Sequence, residues 1–201
     1  MGLAAGKEIL DKASAEGYAV GAFNINNMEI LQAVVAAADK ERSPVMIAVS
    51  ECAIKYAGID YISSMARTAA DSTDVPIALH LDHGQHFEVI LQCIRHGFTS
   101  VMIDASHFPL EENIAATKRV VEVAHPLGIS VEAELGRLQG VEDNISVAER
   151  DAILVNPKEA QFFVTETQVD FLAPAIGTSH GAFKFKGKAE LESRDSRRRK
   201  G

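Results

Sequence analysis

The chain has 201 residues, 20 of them Lys or Arg against 28 Asp or Glu, for a formal charge of −8. That acidic balance excludes a general nucleic-acid binder, and no apolar run reaches the roughly 18 residues of a membrane span. The 47% apolar fraction can fill one large core, so one domain is expected, although a closed (β/α)8 barrel usually takes roughly 250 residues.

The opening MGLAAGKEIL has no apolar signal region with a cleavage site, and Gly6 stands where a myristoylation motif takes Ser or Thr. A cytoplasmic location is the expectation. The first strand-like run, AVGAFNI (19 to 25), is followed by a helix capped by Asn27, with Ile30, Leu31, Val34, Val35 and Ala38 on one face. PVMIAVS (44 to 50), IALHLDH (77 to 83), SVMIDAS (100 to 106) and SVEAELG (130 to 136) follow as nearly continuous apolar runs. Such runs suit parallel strands covered by helices. The next segment, 136 to 146, bears glycines and the acids Glu142 and Asp143, which suits either a cover able to deliver a base or an ordinary solvated loop. A firm helix start stands at Asn156-Pro157-Lys158-Glu159, and a sixth strand at FLAPAIG (171 to 177). Cys52 and Cys93 have neither zinc-knuckle nor disulfide spacing and read as reduced thiols. Residues 193 to 201 carry a local +4, leaving −12 for residues 1 to 192. A solvated, disordered tail is the expectation, with contact to phosphate or an anionic surface as the other use of such a run.

Six strands with intervening helices fit an open doubly wound sheet or a (β/α)8 barrel. The strand ends favour the barrel. Asn24, Ser50, Asp82 with His83, Asp104 with Ser106, Glu132 with Glu134, and Thr178-Ser179-His180 load one edge with polar groups. In a barrel that edge is a ring around a common centre, where active sites are built, whereas an open sheet uses one switch point. Neither a dinucleotide-type nor a Walker-type glycine pattern is present.

The chemistry concentrates in His80-Leu81-Asp82-His83-Gly84. Two imidazoles and a carboxylate at a strand mouth can ligate a divalent cation, or form a hydrogen-bonded structural cluster. His180 ends a later strand at the same level, and histidines converging from separate strands suit zinc. Glu132 and Glu134 share a strand face and can reach the metal or a neighbouring helix, and Asp104 is placed likewise.

HLDHG, SVMIDASHFP, SVEAELGRLQGVED and AIGTSHG together resemble the zinc-dependent class II ketose-bisphosphate aldolases, most closely their tagatose-bisphosphate branch, over Gly2 to Leu191. The resemblance implies a metal-dependent TIM barrel that reversibly cleaves a ketose 1,6-bisphosphate into dihydroxyacetone phosphate and glyceraldehyde 3-phosphate. It implies that His83 and His180 bind zinc, with Asp104 and Glu134 as secondary metal contacts. Asp82 would exchange the proton of the C4 hydroxyl and Glu142 the proton at C3. Asn24 and Ser50 match substrate-touching positions, and Gly181 a backbone contact to phosphate and to a monovalent cation.

The family pattern has a third zinc-binding histidine on a seventh strand and a phosphate-binding segment after an eighth. Neither occurs in this chain, and His86, His96, His107 and His125 offer no replacement. About six of eight βα units are therefore expected, as a partial barrel domain over 1 to 192 and a basic tail over 193 to 201. Exposed sheet edges favour association, so a homo-oligomer acting on a small sugar bisphosphate is the expected form, without nucleic-acid or membrane partners. Two other readings stay open: an inactive truncated relative or non-catalytic supporting subunit, and a barrel hydrolase that activates water on a metal.

Overall fold

The computed structural model describes residues 2–136, 139–142, 145–147, 154–177 and 179–180. Helix α1 (Gly6–Glu16) leads into β1 (Gly21–Asn24), and strand and helix then alternate. They are α2 (Met28–Glu41), β2 (Val45–Ser50), α3 (Glu51–Ala57) with α4 (Ile59–Asp71), β3 (Ile77–Gly84), α5 (Phe87–Arg95), β4 (Ser100–Ile103), α6 (Leu110–Ala124) and β5 (Ser130–Leu135). Next come β6 (Gln139–Glu142), β7 (Ile145–Val147), α7 (Pro157–Thr167), β8 (Phe171–Pro174) and the short β9 (Ser179–His180).

Six strands pair in parallel in the order β1-β2-β3-β4-β5-β8. Each βα unit adds its strand to the same side of the one before, with no reversal of order. A doubly wound sheet reverses at its switch point, so this sequential order is that of a barrel wall. The six-stranded arc expected from sequence is what forms, with β1 and β8 as its end strands.

Local signals account for the helix starts. The Asn27 side chain accepts from the Ile30 amide at 2.9 Å and opens α2, and Asn156 accepts from the Lys158 amide at 2.9 Å with Pro157 at the first helical position. The apolar face of α2 is narrower than its periodicity suggests: Leu31, Val35 and Ala38 are buried, whereas Ile30 is 39% exposed.

The sheet divides its residues by parity. Val45, Ile47, Val49, Ile77, Leu79 and Leu81 face the helices and join Ile62, Ile90, Val120 and Phe163 in one core cluster. The alternate residues face the barrel interior, where Ile9, Met46 and Ala78 form a small apolar cluster with Phe171 packed against it. Helix α1 covers the N-terminal end of that interior through a Lys7 amide bond to Ser130 Oγ at 2.8 Å. Cys93 is buried in the outer layer, where burial pushes its thiol up to about 12, and no disulfide joins it to Cys52.

Two segments depart from the sequence reading. Strand β4 ends at Ile103 because the Asp104 carboxylate accepts from the Ser106 amide, turning the chain within the segment read as strand to 106. Within the segment read as a loop over 136 to 146, β6 pairs antiparallel with β7, and β6 also pairs in parallel with β9. No helix among the described residues is long and apolar enough to cross a membrane.

Candidate active site at the C-terminal strand edge

The strand ends meet around β3. Pairing between β3 and β4 runs from Leu81↔Val101 to Gly84↔Ile103, so one extra residue bulges out of β3. His83 occupies that bulge with φ +48, a left-handed conformation that costs a non-glycine residue about 1–2 kcal/mol. Regular alternation would send His83 toward the helices with Leu79 and Leu81. The bulge turns it instead to the interior side, where Nδ1 lies 3.0 Å from Asp104 Oδ2 and 3.6 Å from Glu134 Oε2. Gly84 closes the bulge, and a Cβ there would stand 2.4 Å from the Met102 carbonyl oxygen. Only glycine permits that approach.

Asp104 and Glu134 are both buried. Burial opposes ionisation of Asp104, but hydrogen bonds from His83 and the Ser106 hydroxyl, the charge of His83 and the Ser106 amide together hold its carboxyl below the usual range. The Asp104 amide donates to the Gly84 carbonyl at 2.8 Å, and Asn113 Nδ2 donates to the Glu134 carbonyl at 2.9 Å. One ligand atom from each of His83, Asp104 and Glu134 falls within 4.8 Å of the other two. A nitrogen and two carboxylate oxygens at that spacing fit a divalent cation. A cavity of about 110 Å³ beside them is lined by Asp82, His83, Met102, Glu132, Glu134 and residues 173–175.

The other expected residues fall into four groups. Asn24 Nδ2 donates to Asp82 Oδ2 at 2.7 Å, which joins the ends of β1 and β3 across the intervening strand. Ser50 stands opposite Asp82 in the register, and its hydroxyl accepts from the Ala53 amide at 3.3 Å to open α3. Glu142 and His180 lie on β6 and β9, where Gly140 pairs with His180 two residues before Glu142. Gly181 lies outside the described residues.

His80 does not join the cation group. It sits one layer deeper in the interior, with Nδ1 2.8 Å from Ser100 Oγ and Nε2 3.2 Å from Glu132 Oε2. Of the two histidines in HLDHG, the structure thus makes one a hydrogen-bonded core residue and the other a ligand candidate. His86 pairs with Glu51, His96 with Asp60 and His125 with Asp170, while the His107 ring lies tilted against Phe108. The bulge, Asn113 and Glu51 carry no sequence signal of their roles, because each acts through residues distant in the chain.

The Fructose-bisphosphate aldolase class-II family model matches residues 4–195. A fructose-bisphosphate aldolase of Helicobacter pylori is 60% identical over 94% of this chain, and one of Thermus caldophilus 55% identical over 94%. The chain spans 62% of the length of each of these relatives. The crystal structure of the YdjI aldolase from Escherichia coli K12 superposes with a TM-score of 0.79 at 37% identity, covering 89% of this chain and 64% of that one. A sequential parallel barrel wall with a polar, bulged C-terminal edge, matched along almost its whole length by that family model, places this chain in the class II fructose-bisphosphate aldolase family.

Proposed function

We propose that the chain carries out reversible aldol cleavage of a ketose 1,6-bisphosphate of the fructose or tagatose type, giving dihydroxyacetone phosphate and glyceraldehyde 3-phosphate. The observation that carries this reading is the convergence of His83, Asp104 and Glu134 beside an Asp82 held by Asn24. In this reading His83, Asp104 and Glu134, with His180 from β9, hold zinc. A zinc ion there supplies the Lewis acidity that stabilises the negative charge developed in cleavage.

The residues of the chain supply the proton steps. The Asp82 carboxylate takes the proton of the C4 hydroxyl, the C3–C4 bond breaks, and the C4 oxygen becomes the aldehyde of glyceraldehyde 3-phosphate. The bonding pair stays on C3, and Glu142 delivers a proton there to complete dihydroxyacetone phosphate. The Asn24 amide fixes the Asp82 carboxylate in place. Asn24, Ser50 and the Gly181 backbone orient the substrate, and the Gly181 backbone would also hold a monovalent cation beside the phosphate.

Zinc titration of the chain with a coupled cleavage assay tests the proposal. Stoichiometric metal with turnover of fructose or tagatose 1,6-bisphosphate is the expected result, and the ratio of the two kcat/KM values identifies the preferred C4 configuration. Bound zinc without turnover of either sugar would instead establish a non-catalytic relative or supporting subunit.

A further inference from the structure

Glu51 has no part in the chemistry above. As the first residue of α3 it occupies a position where an acid ordinarily complements a helix N-terminus. Its carboxylate is instead committed to the turn between β3 and α5. Oε1 accepts from the backbone N–H groups of Gln85 at 2.8 Å and His86 at 3.0 Å, and Oε2 meets Nδ1 of His86 at 2.7 Å. The Glu51 side chain is 21% exposed and the His86 side chain 65%, and the carboxylate charge strengthens the bonds from the two amides.

The gripped turn begins directly after the bulge. His83 is held there in a left-handed conformation that a non-glycine residue disfavours. Gly84, between His83 and the turn, accepts the Asp104 amide at 2.8 Å, so a shift of the turn reaches both His83 and Asp104. Ser50, next to Glu51, is fixed by its own cap on Ala53. The clamp is therefore anchored at a capped helix start.

We propose that Glu51 is a positioning residue that clamps the β3–α5 turn and so holds His83 in its bulge against Asp104. The geometry stands on the hydrogen bonds alone, while its consequence for metal binding rests on the functional reading above. Glutamine is nearly isosteric and can keep its oxygen on the two backbone amides, but it removes the charge that strengthens these bonds, so Glu51→Gln weakens the clamp.

Histidine-labelled nitrogen NMR of the metal-free full chain at pH 8 tests the clamp. The wild-type His83 signal is expected to report the Nδ1–H tautomer bonded to Asp104. In Glu51→Gln it should move toward the mixed-tautomer value, with the Asp104 amide exchanging about tenfold faster. His86→Ala keeps both backbone bonds to Oε1 and should leave the His83 signal near wild type. Wild-type His83 and Asp104 signals in Glu51→Gln, or an equal change in His86→Ala, would overturn the proposal. Should Glu51→Gln fail to fold, Glu51→Asp, too short to span the three donors, is read the same way. Titration with Co²⁺ supplies a separate arm, in which Glu51→Gln should bind about tenfold more weakly with an altered visible spectrum. A wild-type chain that shows the His83 tautomer but takes up no Co²⁺ would overturn the metal reading, and the NMR comparison would still decide the clamp.

Discussion

On the helix side of β2 and β3 stand Val45, Ile47, Val49, Ile77, Leu79 and Leu81, none more than 2% exposed. On the interior side of the same strands stand Met46, Ala48 and Ser50 beside Ala78, His80 and Asp82, grading from apolar to charged toward the C-terminal edge. The outer face is held by apolar burial, which is non-directional and tolerates many shapes. The inner face is held by specific partners: His80 between Ser100 and Glu132, Asp82 with Asn24, His83 with Asp104. Stability and chemistry are thus separated by one residue of strand alternation, and each can be attacked without the other.

The largest effect on stability is expected on the outer face. Phe163→Ala empties a fully buried site contributed by α7 and should lower unfolding free energy by about 3–5 kcal/mol in urea titration. Metal uptake per folded molecule should not change, and a matching loss of metal affinity would show that the two faces are coupled. Cys93→Ser places a hydroxyl in the same dry layer and should cost about 1–3 kcal/mol. With its thiol pushed up to about 12, native Cys93 should also resist thiol reagents at pH 8 until denaturant is added.

Asp104→Asn probes the inner face. An amide keeps an acceptor for Ser106, so the loss of stability should stay near the ~1 kcal/mol net value of a hydrogen bond. Metal affinity, measured calorimetrically, should fall by more than the roughly 10–100-fold typical of outer-shell changes. A destabilisation as large as that of Phe163→Ala would contradict the division of labour between the faces.

The smallest effect belongs to the exposed rim. The hydrogen bond to Glu51, and then its charge, raise the His86 pKa above 6.5. A raised histidine pKa contributes stability that is complete below the unfolded value and disappears as pH rises through the folded value. The difference in Tm between wild type and His86→Ala should accordingly be larger at pH 6 than at pH 9, within the ~0–1 kcal/mol of an exposed ion pair.

Residues whose role is local were legible from the sequence. Asn27 and Asn156 act on amides two or three residues away, and both cap as expected. Polar residues at the ends of apolar runs named Asp82, His83, Asp104 and Glu134, because such groups seldom enter a barrel edge without a task. The same logic could not choose between His80 and His83, since period-2 alternation assigns them to opposite faces and the bulge reverses that assignment for His83. It also read a loop where β6 pairs with β9, because that pairing joins segments 40 residues apart.

The amino-acid sequence by itself determined the alternation of strands and helices, the helix starts, the acidic body and the residues that gather at one strand edge. Those follow from local periodicity, capping and composition, which each segment carries wherever it folds. Only the tertiary structure decided the strand order, the turning of His83 toward Asp104 and the grip of Glu51 on the following turn. The last two depend on hydrogen bonds between residues 21 to 35 positions apart, which exist only once the strands have taken their places.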